Sequence, residues 1–266
     1  MKKFLFALSI MTLISCNDDD NAMGTDDTTP PEAFKYELQS VTPNSVSARS
    51  FEYDSEQRIS KLLVRGGVEE SQYVYDTAGT LTDILFLHNS VIENGNLIEY
   101  EKYDVTLYTD NEVIIRQNTY NGDDQLIEFD REHRFIFDGQ LYKEVTTTFA
   151  NDIVSTEKFT HDVNGSLQTI SEAFSDQLFH PRWTISEWSD LEQPMLFHGF
   201  NVTTKYLIFP DKFISLRGIQ SATEVDAGED TTFEYENGPD GSNFLNVVRN
   251  YPNGSEETTV NFILRN

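Results

Sequence analysis

Basic side chains and cysteine are scarce in this sequence, and each shortage excludes a class of protein. The 266 residues include 19 Lys and Arg against 45 Asp and Glu, for a formal net charge of −26. Because nucleic-acid binding depends on basic side chains that neutralise phosphates, we expect no nucleic-acid partner. The single cysteine excludes an internal disulfide, a cysteine-based zinc site and an iron–sulfur cluster. We also expect no cofactor.

Long apolar runs are missing as well. The apolar run near the N-terminus, residues 4–14, follows two lysines and is too short for a bilayer core, which takes about 20 apolar residues. Such a run is typical of a signal peptide. Its Leu-Ile-Ser-Cys ending at Cys16 resembles the lipobox of bacterial lipoproteins, in which the cysteine is lipidated. We therefore predict a lipoprotein signal peptide over residues 1–15 and a lipid anchor on Cys16. The alternative is an ordinary signal peptide with a chance cysteine.

Acidic residues follow the cysteine directly. The aspartates at 18–20 resemble the surface-export signal of Bacteroidota lipoproteins, and the alternative is a solvated spacer. Residues 16–33 contain two prolines and no aromatic residue, so the lipidated cysteine and the segment behind it are predicted to form a disordered acidic tether. The expected location is the outer membrane, exposed at the cell surface, with the membrane contacted through the anchor on Cys16. The remaining residues, 34–266, are predicted to form a single domain.

Within that domain the dominant pattern is alternation of apolar and polar residues between turn signals. Asn-Gly pairs, which favour tight hairpin turns because both residues accept a positive φ, occur at residues 94–95, 121–122, 164–165 and 253–254. No stretch shows an apolar period of 3.6 residues over the length of a helix. The sequence therefore predicts an all-β domain.

A short unit repeats along the domain. It consists of an aromatic residue, any residue, a second aromatic residue and an Asp, and it occurs at residues 51–54, 73–76 and 159–162, with looser copies at 233–236 and 127–130. Aromatic side chains two residues apart lie on one face of a strand. The Asp carboxylate can accept hydrogen bonds from nearby backbone N–H groups and start a turn. The rings are therefore expected to be core residues.

This unit resembles the YD (Rhs-type) repeat, in the divergent form found in Bacteroidota lipoproteins of unassigned function. The resemblance covers roughly residues 34–266. It departs from the family at His161, which replaces the second aromatic residue, and over residues 100–150, which give no clean copy. The resemblance implies an antiparallel meander of successive β-hairpins, curled into a sheet with one covering loop. It implies no catalytic residues.

The segment 171–199 interrupts the alternation and is predicted to be the covering loop. We interpret five of its residues as candidate ligand contacts: Trp183, Trp188, His180, Arg182 and His198. The alternative, which we favour, is that the segment packs across the sheet and its aromatic side chains fill the core. The spacing of the two histidines does not indicate a metal site, and none is predicted.

Three functions are compatible with these features. The first is a non-catalytic binding or structural module of the cell envelope. The second is a glycan-acting hydrolase or carbohydrate-binding protein that uses the 171–199 segment. The third is an envelope immunity or adaptor protein, because the negative charge suits a basic protein partner. The motifs of serine hydrolases, P-loop proteins and zinc proteases are missing from the sequence, which favours a protein that is not an enzyme.

Overall fold

The computed structural model describes residues 36–43, 49–64, 69–93, 96–175, 177–189, 209, 212–237 and 244–264. All of them belong to one compact unit, Lys35–Asn266. The predicted signal peptide, Cys16 and the acidic tether lie outside the described residues. In the described part of the chain, no helix has the length and apolarity needed to cross a membrane.

All regular structure in the described residues is β-strand. The strands in chain order are β1 (Tyr36–Pro43), β2 (Arg49–Tyr53), β3 (Ile59–Val64), β4 (Glu69–Tyr75), β5 (Leu81–Glu93), β6 (Asn96–Tyr108), β7 (Glu112–Asn121), β8 (Leu126–Asp138), β9 (Leu141–Phe149), β10 (Val154–His161), β11 (Leu167–Phe174), β12 (His180–Trp188), β13 (Ile219–Glu224), β14 (Glu229–Asn237), β15 (Phe244–Tyr251) and β16 (Gly254–Leu264).

The strands form one antiparallel meander, in which each strand pairs with its neighbours in the chain. This confirms the predicted all-β class and the curled sheet of successive hairpins. β1 pairs with β16 along its length and with β2 at Ser40 and Val41, so the order of strands closes on itself as a barrel. The all-β class follows from the sequence alone, since side chains that alternate every second residue can bury one face of a sheet.

Alternation places the apolar side chains inside. Buried residues of neighbouring strands lie opposite each other, as with Phe159 and Ile170 on β10 and β11. The outer face carries cross-strand ion pairs, including Arg116–Glu132 at 2.7 Å and Arg134–Glu112 at 2.6 Å. Exposed pairs of this kind contribute at most about 1 kcal/mol each. These ion pairs make the outer face charged, and a charged face is suited to contact with water and not with hydrocarbon.

The Asp of the repeat builds the predicted turn. One carboxylate oxygen of Asp76 accepts hydrogen bonds from the backbone N–H groups of Ala78 and Thr80, both at 2.8 Å. The side chains of Asp54, Asp162 and Asn121 do the same: each accepts hydrogen bonds from the backbone N–H groups two and four residues after it. The residue three positions after the Asp or Asn has a positive φ in each turn: Gln57 (63°), Gly79 (84°), Asp124 (60°) and Gly165 (76°). A single local geometry therefore closes hairpins that are far apart in the chain.

Two ends of the barrel can be distinguished by their turns. The turns at Asp54, Asp76 and Asp162 lie at one end, which we name the capped end. The turns that join β7 to β8, β9 to β10, β11 to β12 and β13 to β14 lie at the opposite end, which we name the far end. β1 begins at the capped end, because Tyr36 pairs with Leu264 at the end of β16.

A covering segment, residues 209 and 212–218, packs against the inner face at the capped end. Phe213 forms a bridge with Leu141 on β9, and the ring of Phe209 lies 5.2 Å from that of Phe135. The N–H of Leu216 donates to the carbonyl of Gly165 at 3.0 Å. The covering segment thus fills the interior between the strands with apolar side chains and anchors itself to a turn of the repeat.

The predicted limits of the covering loop need correction. Residues 171–174 and 180–188 belong to β11 and β12, and the described covering segment lies further along the chain, at 209 and 212–218. Residues 190–199 fall outside the described part. The proline within this segment, Pro181, does not end the strand. It sits opposite Ser171 next to an irregularity in the pairing, a position where a sheet tolerates proline.

Candidate functional site

The two tryptophans named from the sequence occupy different environments on β12. Trp183 is 5% exposed and pairs with Ile170 of β11, so its ring is part of the core. Trp188 is half-buried, and its indole N–H donates to the carbonyl of Leu167 at 2.9 Å. The indole donor of Trp188 is therefore occupied by the backbone of the sheet. β12 runs from one end of the barrel to the other, and Trp188 lies at its capped end.

The other named residues lie near the far end or outside the described part. His180 is exposed at the start of β12. Arg182 pairs with Glu172 of β11, with 3.3 Å between Nη1 and Oε2. His198 and Cys16 fall outside the described residues. The structure thus brings Arg182 and His180 to one region, next to Glu172, and places Trp188 at the opposite end of the strand.

The region around Arg182 belongs to a polar zone of the inner face. Glu157 and Glu172 are directly opposite each other, two residues beyond the buried pair Phe159 and Ile170. Because side chains two residues apart share a face, both glutamates point inward. Like charges directly opposite each other in a sheet are destabilising, and Arg182 offsets part of this repulsion through its ion pair with Glu172.

A matching polar group lies on β6, β7 and β8. The amide nitrogen of Gln117 donates to a carboxylate oxygen of Glu101 at 3.2 Å. Arg131 lies opposite Gln117 in the strand pairing, and its Nε donates to a carboxylate oxygen of Asp130 at 2.6 Å. Its guanidinium lies 5.4 Å from the ring centroid of Phe149. These residues and the group around Arg182 form what we name the inner polar layer: Glu101, Gln117, Arg131, Glu157, Glu172 and Arg182. It lies on the far-end side of the apolar core.

The boundary between the core and the inner polar layer is marked by buried polar side chains. His133 is 4% exposed, and its Nδ1 lies 2.9 Å from the hydroxyl of Thr147. The ring of Tyr103 meets that of His133 edge-on at 6.1 Å. Burial raises the pKa of Tyr103 to about 12, so its hydroxyl stays protonated. The interior thus changes from apolar to polar along the barrel axis.

A second polar cluster lies on the outer face. The ammonium of Lys102 is 2.7 Å from a carboxylate oxygen of Asp104 and 3.1 Å from one of Asp83. Asp104 also accepts hydrogen bonds from Tyr120 and Asn118. Burial alone would raise the pKa of Asp104, but the hydrogen bonds from Lys102, Tyr120 and Asn118 outweigh it and lower that pKa below its usual value. We interpret this satisfied cluster as structural support for the long hairpin of β6 and β7.

Sequence reasoning did not single out most of the inner polar layer. Among its six members only Arg182 was a predicted contact residue. A usable signal existed, because Glu157 and Gln117 lie two residues from Phe159 and Ile115, which are buried. The polar residues therefore occupy inward positions of the alternation.

No group of three or more His, Cys, Asp or Glu side chains within the described ranges is arranged to hold a metal ion.

Solved structures with limited similarity to this chain include two porin-like proteins. No protein-family model matches the chain, and no curated protein matches it in sequence. A solved porin-like protein from Bacteroides uniformis is similar in structure, with a TM-score of 0.41 and 18% identity, over 87% of this chain and 96% of its own. A porin-like protein from Bacteroides vulgatus has a TM-score of 0.37 and 12% identity, over 85% and 98% of the two chains.

Proposed function

We propose that this protein is a lipid-anchored, non-catalytic binding module displayed at the surface of a bacterial outer membrane. The anchoring and the location are supported by the sequence, in which a lipobox-like segment ends at Cys16 and acidic residues follow. The binding role is supported by one structural observation, the inner polar layer. It places charged side chains on the inner face of the barrel at the end opposite the covering segment.

The inner polar layer is unusual for a sheet that needs only to fold. Burying a charged group is costly unless it is paired, and a purely structural interior would continue the apolar core to the far end. Here Arg131 and Arg182 are paired, with Asp130 and Glu172, and still keep 36% and 39% of their side-chain surface exposed on or beside the inner face. Charged side chains that stay partly accessible on an inner face can contact a partner of complementary charge.

The placement of the tryptophans supports a protein other than a glycan hydrolase. A sugar platform needs an accessible aromatic face, whereas Trp183 is buried in the core. Glu224 lies directly opposite Trp183, and Glu172 lies two residues beyond its other partner, Ile170, so both carboxylates flank a ring that is itself buried. This distribution favours the packing interpretation of the tryptophans over the catalytic one.

Lipid anchoring is tested by acylation. Cells that express the full chain are supplied with labelled palmitate, next to cells that express the Cys16→Ser variant. The proposal predicts a labelled protein in the membrane fraction for the parent chain and an unlabelled protein for the variant. A variant that is still labelled, or a parent chain that is not, would contradict the anchor.

Surface display is tested with intact cells. Proteinase K added outside should degrade the anchored protein while a periplasmic marker survives. Because residues 18–20 are interpreted as the export signal, replacing Asp18, Asp19 and Asp20 by Ala is expected to leave acylation unchanged and to protect the protein from the protease. Equal degradation of both chains would refute the role of these aspartates, and survival of the parent chain would refute surface display.

A further inference from the structure

Apolar side chains are exposed on consecutive turns at the far end. We name this set the apolar rim: Leu126, Ile127, Ile153, Leu178, Phe179 and Val225, which are between 42% and 90% exposed. They come from the turns or strand ends that join β7 to β8, β9 to β10, β11 to β12 and β13 to β14. Neighbouring strands are about 5 Å apart, so successive turns of this kind are about 10 Å apart along the edge of the barrel.

Single exposed apolar residues are common on protein surfaces, but a contiguous group marks an interaction site. Turns favour small and polar residues, so apolar side chains on several successive turns are unusual. Within the rim, Phe179 also packs against the ammonium of Lys158. The capped end provides a contrast within the described residues. Its turns at Asp54 and Asp76 expose mainly polar residues, and the large apolar side chains exposed at its turns and strand ends are Val163, in the turn at Asp162, and Tyr108, at the end of β6.

The charges beside the apolar rim are mainly negative. The same turns expose Asp123, Asp152 and Asp226. The inner face next to them carries Glu101, Glu157 and Glu172 of the inner polar layer. It continues with Glu224 and Glu229, which are paired on β13 and β14. Against these five glutamates stand three basic residues: Arg131, Arg182 and Lys158, whose ammonium lies 4.0 Å from the ring centroid of Phe179. The surface therefore favours a positively charged occupant with apolar side chains of its own.

We propose that the apolar rim and the inner polar layer dock a cationic amphipathic peptide segment of a partner protein. Its apolar side chains pack on residues such as Leu126 and Leu178, and its Lys and Arg side chains reach Glu157 and Glu172. An anionic lipid surface would be repelled by the same carboxylates, and so would a second copy of this chain, whose net charge is −26. This inference rests on the proposed binding function and specifies its partner.

The test uses the full chain from residue 16 with Cys16→Ser, so that no acyl chain is attached. The probe is a 16-residue amphipathic peptide of Lys and Leu, titrated by calorimetry at low and at physiological salt. Two further peptides separate the contributions: one replaces Leu by Ser and keeps the charge, and the other replaces Lys by Glu and keeps the apolar face. The Lys/Leu peptide is expected to bind saturably at one peptide per chain, at least tenfold more tightly than either of the others.

Variants locate the binding. A rim variant, Leu126→Ser with Leu178→Ser, is expected to weaken binding of the Lys/Leu peptide at least tenfold. Val163→Ser at the capped end is the matched control and should leave the affinity unchanged. A charge variant, Glu157→Gln with Glu172→Gln, should weaken binding and reduce its salt dependence. Circular dichroism and thermal unfolding of each variant confirm that it is folded.

The possible outcomes are distinct. Unchanged affinity in the rim variant overturns the docking surface, and so does equal binding of the Lys/Ser peptide, which would show that charge alone acts. No saturable binding of the Lys/Leu peptide overturns the inference as well. The proposed anchoring and surface display are decided separately by acylation and protease accessibility, so a failure here is distinguishable from a failure of those parts of the proposed function.

Discussion

The hydroxyl of Tyr75 donates a hydrogen bond to the carbonyl oxygen of Ile59 at 2.9 Å, across 16 residues of chain. The same relationship recurs at the other end of the domain, where Tyr235 donates to Ile219 at 2.5 Å, also 16 residues earlier. In both cases the tyrosine is the second aromatic residue of the repeat. The second ring thus contributes a hydroxyl that links two neighbouring hairpins by a hydrogen bond, whereas the first ring packs in the core.

Removing the hydroxyl of Tyr75 should destabilise the fold. Tyr75→Phe keeps the ring and its contact with Arg58, whose guanidinium lies 4.4 Å from the ring centroid, but leaves the Ile59 carbonyl without its donor. We expect the free energy of unfolding to fall by about 1 kcal/mol, as measured by urea denaturation. Tyr251→Phe, on an exposed ring, is the control and should change stability little. Equal effects of the two substitutions would show that the hydrogen bond contributes nothing specific.

The carboxylate of the repeat should be replaceable by an amide but not by a methyl group. Asp76→Ala removes the acceptor for two backbone N–H groups and is expected to destabilise the protein by about 1 kcal/mol. Asp76→Asn should be nearly neutral, because Asn121 already performs this role in another turn. Thermal unfolding measures both variants. A large loss in Asp76→Asn would mean that the charge, and not the acceptor, determines the turn.

The contact between the covering segment and the repeat can be measured at Gly165. Gly165 and Gly139 both have a positive φ, at 76° and 59°, so an alanine is strained at either position. A Cβ at Gly165 would also lie 2.7 Å from Cδ1 of Leu216, whereas none of the described atoms lies within 4 Å of one at Gly139. Gly139→Ala should therefore cost about 1 kcal/mol and Gly165→Ala clearly more. Equal losses would contradict the packing of the covering segment against this turn.

Stability should decrease on mild acidification because of His161. Its Nε2 lies 2.7 Å from the carbonyl oxygen of Ile214, and burial lowers the pKa of His161 below 6.5. The unfolded chain therefore takes up a proton first as the pH falls through 6.5, and stability is lost from there down to the folded pKa. Urea denaturation at pH 7.5 and pH 5 measures the loss.

The His161→Gln variant should lose part of this pH dependence, whereas His180→Gln, which changes an exposed ring, should keep it. Identical pH profiles for His161→Gln and the parent chain would show that His161 does not titrate differently in the two states.

The sequence was sufficient for local structure and insufficient for long-range placement. Alternation predicted the all-β class, and the aspartates predicted their own turns, because both depend on residues within one hairpin. Closure through β1 and β16 joins the two ends of the domain and leaves no local signal. The covering segment at 212–218 has no alternation, and its role appears only when Phe213 meets Leu141.

The candidate site was missed for a related reason. Aromatic residues such as Trp183 attract attention in a sequence, yet the sheet buries this ring. Glu157 and Gln117 carry no motif, and they become notable only because their strands place them on the inner face. Residue type makes the tryptophans candidate contacts, although packing into the core is the favoured interpretation, whereas position within the alternation identifies the inner polar layer.

The most direct test of this account is the accessibility of the inner face at matched positions. With Cys16 replaced by Ser, single cysteines are placed at Gln117 or Ile115 on β7, and at Arg131 or His133 on β8. Each pair is two residues apart on one inner face, with Ile115 and His133 at 0% and 4% exposure. A small charged thiol reagent should modify Gln117→Cys and Arg131→Cys at least tenfold faster than Ile115→Cys and His133→Cys. Equal rates within the pairs would contradict a barrel that is filled at the capped end and accessible from the far end.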